Sequence, residues 1–458
     1  MGSNINAVTA AVRAMPLFSR SQPLSKKQNT VLNIFFVTVL TGTFLSMLGI
    51  ILYYVYAYAS LTAGDHGFDW LLGIFSDFVF IMNVSLEESP YLVEDSSYPP
   101  VAIAILYPFA LICKGVFAKY SNQVLTVDEL TSRVILHWQF WVAFLLFFAV
   151  CSVIVILTVT AVYKLPPRAA LKTAIIIILS APFVYTVMRG NTIYFALIFL
   201  LLFLLLYKSE NAFLRELGYI ALTIAGLIKI YPLFFGVFLL HKKKLWASVR
   251  VGIYTVVIFL LSFLLFNGVD DLLPFFDNLG GFMSNNVRLI AGNNLSITSI
   301  LYKIFYVISP EAANSAVFDR INLILLVLVF LVATVAAIFT RSDFRRCVIA
   351  SSVIILIPSI SYFYVLIFAF LPFMEFIRSY ETLSRRKRAA YIAMFLVLFF
   401  TPFILPKNFI VQSLVVITMY VMECGAVIKD ELTFLSRLTF LSRLTFLSRL
   451  TFLSRKKR

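Results

Sequence analysis

Long apolar stretches separated by short polar or basic segments run along the whole 458-residue chain. A bilayer-spanning helix needs roughly 20 consecutive, mostly apolar residues. Such stretches fall at 30–58, 99–118, 135–163, 172–188, 191–207, 217–240, 250–266, 320–340, 346–358, 361–377, 389–405 and 409–428. Those beginning at 172, 191, 346 and 361 are short for a full crossing. Broken or half-membrane helices are tolerated where protein or a cavity covers the backbone. The pattern predicts an all-α, polytopic transmembrane bundle of about 12 spans. A cytoplasmic segment (1–29) precedes the membrane domain (30–428), and a cytoplasmic tail (429–458) follows it. Two long outer loops are expected at 59–98 and 267–319.

Composition agrees: 61% of residues are hydrophobic and 13% charged, against roughly 45–50% and about 25% in soluble domains. The net charge of +16 sits in short clusters between apolar stretches, as cytoplasmic anchors do, so nucleic acid is not expected as a partner. Arg13, Arg20, Lys26 and Lys27 place the N-terminus in the cytoplasm. The loop after the first span then lies outside, with Asp65, Asp69, Asp77, Glu87, Glu88, Glu94 and Asp95 and no Lys or Arg. Counting onward puts Lys242 to Lys244, Arg341 to Arg346, Arg385 to Arg388 and the tail inside. One cluster, Lys164, Arg168 and Lys172, falls outside on this count, and Arg189 falls inside.

Cys113, Cys151, Cys347 and Cys424 lie in or beside apolar spans without a C-x-x-C pair, and the three histidines are scattered. Neither a disulfide framework nor a metal site is expected. The stretch before the first span reads as polar and basic, and that span is too long for a signal-peptide core. Residues 432–455 repeat L-T-F-L-S-R four times. A period of six makes no clean helical or strand face, so the repeat reads as a recent expansion with a basic end at the inner surface.

Chemistry-bearing residues concentrate in a few places. Asp77 sits in S-D-F-V-F at 76–80, in an acidic outer loop whose apolar patches suggest short helices at the interface. Partial desolvation would make such a carboxylate a stronger proton acceptor; alternatively it is one of seven acidic groups on a solvated loop. Lys229 lies mid-span in A-G-L-I-K-I-Y-P-L, and Arg189 at a helix break in M-R-G-N. Charges at such depth default to functional hypotheses and suit an anionic headgroup. The bland readings are a snorkelling lysine and an inner-end anchor, and the span count favours the latter for Arg189. The outer segment 267–319 holds Asn285, Asn286, Arg288, Asn293, Asn294 and Lys303. Asparagines suit sugar hydroxyls and the cations suit a lipid phosphate. It can equally be a surface amphipathic helix (Leu295, Ile300, Leu301, Ile304, Phe305) with an Asn cap. No Walker loop, G-x-G-x-x-G, G-x-S-x-G or H-E-x-x-H is present, so nucleotide-sugar or ATP binding has no support.

The order of these segments is distinctive. An outer Asp-Phe is followed by Y-P-P at 98–100, a G-N turn at 190–191, K-I-Y-P-L at 229–233, N-N-L-S at 293–296 and P-S-I-S-Y-F-Y at 358–364. Over residues 30–405 this resembles the polyprenyl-phosphate-dependent mannosyltransferases of the GT-C superfamily, in their bacterial integral-membrane branch. The resemblance implies transfer of a sugar, mannose by preference, from a polyprenyl-phosphate donor to a glycolipid or glycan acceptor. Transfer would occur with inversion, without cofactor or metal, on the outer face of a bacterial plasma membrane. It implies Asp77 as general base, with Tyr98, Arg189, Asn191, Lys229, Tyr231, Arg288, Asn293, Asn294 and Tyr362 binding donor phosphate or substrate. Relatives often carry a histidine where this chain has Tyr362 and Tyr364. The competing readings are a transporter or flippase of lipid-linked glycans, a glycan polymerase or ligase, and a non-catalytic scaffold. A transporter would carry inverted repeats, and a polymerase several outer arginines; neither pattern is evident.

Overall fold

In a bilayer every backbone N–H and C=O must find a partner within the chain, which leaves apolar segments of this length little choice but helix. The computed structural model describes residues 23–60, 75–93, 96–242, 244–289, 294–400 and 409–431, with the backbone course alone for 50–60, 93 and 283–289. Among the described residues there are helices and turns and no strand. Helix α1 (Lys26–Ser60) is followed by the short α2 (Ser76–Val84) and α3 (Pro90–Val93), then α4 (Pro100–Phe117) and α5 (Val127–Val134). Next come α6 (Trp138–Tyr163), α7 (Pro167–Leu179), α8 (Ala181–Arg189), α9 (Ile193–Leu206) and α10 (Ala212–Ile228). A 3-10 segment (Tyr231–Gly236) leads into α11 (Val237–His241), followed by α12 (Leu245–Ser262), α13 (Leu272–Leu289), α14 (Ile297–Ile308), α15 (Pro310–Ala313) and α16 (Ala316–Phe339). The remaining described elements are α17 (Asp343–Leu356), a 3-10 segment (Phe363–Ala369), α18 (Phe370–Ser379), α19 (Arg385–Phe399) and α20 (Ile410–Glu431).

Each predicted span coincides with a helix or a broken pair of helices. Among the described residues seven helices are long and apolar enough to cross a membrane, and eight if the bent pair α7–α8 is one span. That pair bends by 56°, where Pro182 removes a backbone donor and crowds the preceding turn.

Two ends of the bundle are defined by polar ties. At one end Lys172 donates to Asn33 at 2.5 Å, and Gln28 to the carbonyls of Ile377 and Arg378 at 2.9 and 3.1 Å. There too Lys208 pairs with Asp343 at 3.2 Å, Arg346 reaches Asp343 at 2.5 Å, and His241 bonds the Ile338 carbonyl at 2.8 Å. Glu423, fully buried, takes Lys387 at 2.8 Å, the Tyr391 hydroxyl at 2.7 Å and Arg345 at 3.3 Å, fastening α20 to α17 and α19. This basic end gathers the cations of α1, α7, α17 and α19. Lys164 and Lys172 lie here, beside the N-terminal helix, so the cluster that disagreed with the span count sits with the other cations.

Two segments differ from their predicted spans. The predicted span 217–240 is two antiparallel legs, α10 rising from the basic end and 231–241 returning to it, with Lys229 at the apex. Pro232 cannot continue α10, and Gly226 leaves room for the Leu233 side chain, which would stand 2.3 Å from an added Cβ. The predicted span 99–118 is α4, and both its flanks attach to the other end: Tyr98 lies under Lys229, and Tyr120 bonds His137 at 3.1 Å, just before α6. Helix α4 is nonetheless one of the helices long and apolar enough to cross a membrane. Helix α2, expected to lie at the interface, instead buries Phe78, Val79, Ile81 and Met82 in the main core. Helix α14 is capped by Ser296, whose hydroxyl accepts from the Ser299 N–H at 3.1 Å, not by an asparagine. The segments 1–22, 61–74 and 432–458, with the hexad repeats and Trp70 to Leu72, lie outside the described residues.

Replacing Glu423 by Ala leaves Lys387 without its counter-ion and Arg345 with Asp430 alone. Loss of one partner of a buried pair costs 3–5 kcal/mol, and partial exposure of these cations puts the expected loss near ~3 kcal/mol. A detergent melting curve of Glu423→Ala should shift down clearly, and an unchanged midpoint would contradict this clamp.

Candidate active site

The end opposite the basic clusters collects the residues singled out in the sequence. Asp77 lies in the first turn of α2, where the helix dipole favours a negative charge. Arg189 occupies the last turn of α8, where the dipole favours a cation. The two helix ends meet. Arg189 donates to both Asp77 oxygens, from Nη2 at 2.7 Å and from Nε at 3.3 Å, and Asn191 Nδ2 donates to Oδ2 at 2.8 Å. The other end of the Asn191 amide accepts the Ile193 N–H at 3.0 Å, so this buried side chain caps α9 and steadies the carboxylate together. A carboxylate offers about four lone-pair sites. Among the described residues protein donors occupy three, two on Oδ2 and one on Oδ1. Side-chain exposure is 13% for Asp77 and 28% for Arg189, so the pair is shielded yet reachable.

Backbone geometry holds this junction. Gly190 ends α8 at φ 63°, and a Cβ there would stand 2.2 Å from the Cβ of buried Phe78. Phe75, just before α2, also adopts a left-handed φ of 65°, and its N–H donates to the Met188 carbonyl at 2.6 Å. Its ring packs edge-on against Phe140, Trp141 and Phe144, anchoring a conformation that a non-glycine residue adopts only at a cost.

Lys229 faces the same space. Its Nζ lies 4.6 Å from the Tyr98 ring centre, and it makes no hydrogen bond or ion pair among the described residues. Tyr98 is fixed from behind by the Tyr91 hydroxyl, which donates to its carbonyl at 3.0 Å, and Asn278 donates to the Tyr91 carbonyl at 2.8 Å. Tyr231, Tyr362 and Tyr364 fall within electrostatic reach of Tyr98, Asp77 or Arg189, with Tyr362 and Tyr364 5.6 Å apart ring to ring. Asp77, Tyr98, Arg189, Asn191, Lys229, Tyr231 and Tyr362 thus lie in one cluster. Among the described residues no group of His, Cys, Asp or Glu could hold a metal.

Asn294 is placed differently. It is buried, donates to the Ser359 carbonyl, and accepts the N–H groups of Ser296 and Ser361 at 3.0 and 2.8 Å. It clips the 294–296 turn to the 359–361 turn that leads into Tyr362 and Tyr364. The Arg288 side chain and Asn293 lie outside the described residues. Tyr185 belongs to the same cluster without having been chosen from sequence, since aromatic residues in apolar stretches read as core. Tyr185 packs on Phe363 at 5.4 Å and lies within reach of Arg189.

One end of a multi-pass helical membrane protein thus gathers a carboxylate, two cations and several tyrosines. Residues 97–367, more than half of the chain, match glycosyltransferase family 87, and the chain belongs to that family. It is a membrane glycosyltransferase of the GT-C type. No curated protein and no solved structure matches it. The match contains Tyr98, Arg189, Asn191, Lys229, Tyr231 and Tyr362; Asp77 precedes it and is joined to it through Arg189 and Asn191.

Gly190→Ala places a Cβ against Phe78 in a left-handed conformation that alone costs ~1–2 kcal/mol. A lowered melting midpoint together with loss of transfer is expected. Wild-type values for both would contradict the described turn.

Proposed function

We propose that this glycosyltransferase moves a sugar, mannose in the first instance, from a polyprenyl-phosphate donor to a lipid-linked or cell-envelope glycan acceptor. The observation that carries the reading is the Asp77 carboxylate, held by Arg189 and Asn191 with one lone-pair site left without a donor among the described residues, near Lys229, which makes no hydrogen bond or ion pair among them. An acceptor hydroxyl docks at the open site on Oδ1. Its oxygen attacks the anomeric carbon from the face opposite the phosphate, and its proton passes to Asp77. The bond from that carbon to the phosphate oxygen breaks, with the electron pair leaving on the lipid phosphate. Configuration at the anomeric carbon inverts. The phosphate gains a negative charge in this step, and Arg189 and Lys229 are the preorganised cations that stabilise it.

Arg189, paired with Asp77, is also placed to meet an arriving phosphate. Tyr98, Tyr231 and Tyr362 offer flat apolar faces with hydroxyl tips, suited to a sugar ring. Positive clusters favour the cytoplasmic side, which orients the opposite end, and with it the cluster, to the outer face of the membrane. This arrangement puts the N-terminal helix and α20 with their basic ends in the cytoplasm. A lipid phosphate also fits a chain that lacks the glycine-rich loops of nucleotide sites. The broken α7–α8 and α10–231 elements resemble devices of transporters, but family membership assigns them to an enzyme.

Purified protein with a native lipid extract and radiolabelled polyprenyl-phosphate-mannose tests the proposal. Asp77→Asn should cut transfer by about 10²–10⁴-fold, the range of a general base, with its melting curve retained. Transfer that survives the substitution removes Asp77 from the chemistry. Failure of the wild type to bind any polyprenyl-phosphate sugar overturns the donor assignment.

A further inference from the structure

At the basic end, the last turns of α6 and α9, the first turns of α17 and the second half of α18 surround a half-open cleft of 260 Å³. It holds two carboxylates, Asp343 and Glu375, and three exposed cations, Lys164, Lys208 and Arg378. Asp343 is well supplied with partners, Lys208 and Arg346. Glu375 is not. It interrupts an apolar helix, F-L-P-F-M-E-F-I, and its side chain is only 12% exposed. Among the described residues it accepts no hydrogen bond. Arg378 Nη1 stands 3.8 Å away, beyond hydrogen-bond reach.

A shielded carboxylate without a donor is costly, so a partner from outside the chain would stabilise it. The surroundings say what kind. Helices α6 and α9 both end in the cleft wall. A helix C-terminus leaves main-chain carbonyls without intrahelical donors and favours positive charge. The Tyr163 hydroxyl is already turned to the Leu371 carbonyl at 3.5 Å, and buried Tyr207 lies under the Lys208 ammonium at 5.2 Å. The deep part of the cleft therefore offers acceptors to a cation. The exposed part does the opposite, since Lys164, Lys208 and Arg378 outnumber the two carboxylates. A bare cation is repelled on entry, whereas one that carries its own anion is not.

We propose that this cleft binds a primary ammonium linked to a phosphate a few atoms away, the pair of charges in a phosphoethanolamine group. The ammonium enters first and donates to Glu375 and to main-chain carbonyls at the end of α9. The phosphate stays among Lys164, Lys208 and Arg378. A trimethylated ammonium has no N–H to donate, so a choline group does not satisfy Glu375. The site lies at the opposite end of the bundle from Asp77 and is independent of the donor reading above. Its ligand can come from a phospholipid headgroup or from the free amino-phosphate, which share this chemistry.

The full chain, delipidated in detergent, is titrated with short-chain phosphatidylethanolamine, short-chain phosphatidylcholine and soluble O-phosphoethanolamine, and bound ligand is counted by native mass spectrometry. The ethanolamine lipid should bind about tenfold or more tightly than the choline lipid. Glu375→Gln should remove that preference, a loss of about tenfold, the size of one charge-assisted hydrogen bond. This substitution keeps the shape of the side chain and removes a shielded charge, so its melting midpoint should equal or exceed that of the wild type, which separates loss of ligand from misfolding. Arg378→Gln, an exposed change, should weaken the ethanolamine probe about threefold or more. Binding of the lipid without competition from O-phosphoethanolamine supports the proposal with a membrane source, and competition by the soluble compound supports it with a free one. Equal affinity for the two lipids, ethanolamine binding that is unchanged in Glu375→Gln, or binding of neither amino-phosphate overturns it.

Discussion

The ion pair between Asp77 and Arg189 joins the start of one short helix to the end of another across 112 residues of sequence. Each charge sits at the helix end whose dipole favours it, and Asn191 ties the carboxylate to the start of a third helix. The glycine between Arg189 and Asn191 lets the two chains approach, because any side chain there would collide with Phe78. Without this junction α2 would have no fixed relation to the bundle, and the carboxylate would be one acidic group in a long polar loop. With it, a nucleophile's proton acceptor is set beside two cations in a shielded cluster.

The second constraint is the break at Lys229. A lysine in the middle of an apolar span is costly in lipid. Pro232 ends the helix just there, and the chain doubles back, which leaves the charge at the apex.

Much of this architecture is legible in the chain. The apolar stretches announce helices because nothing else satisfies a backbone in lipid, and the motifs around Asp77, Arg189 and Lys229 converge in space. What counting could not reveal is which stretches travel the full length. Residues 99–118 look like any span by hydropathy, yet Tyr98 and Tyr120 bind both flanks to one end. Residues 217–240 look continuous, and only Pro232 hints at the reversal. Asn294 was read as a sugar ligand because its side chain can both donate and accept; the same property lets it stitch two turns of backbone together. Phe75 carries no signal at all, since a left-handed phenylalanine is legible only from coordinates.

The most direct test of the account is a double-mutant cycle on sugar transfer with Asp77→Asn, Arg189→Gln and the double variant. Residues that act as one unit lose their function once, not twice. The account predicts that Arg189→Gln slows the Asp77→Asn enzyme by clearly less than it slows the wild type. Losses that multiply would show that the two residues act independently and that the pair is not the centre of the site.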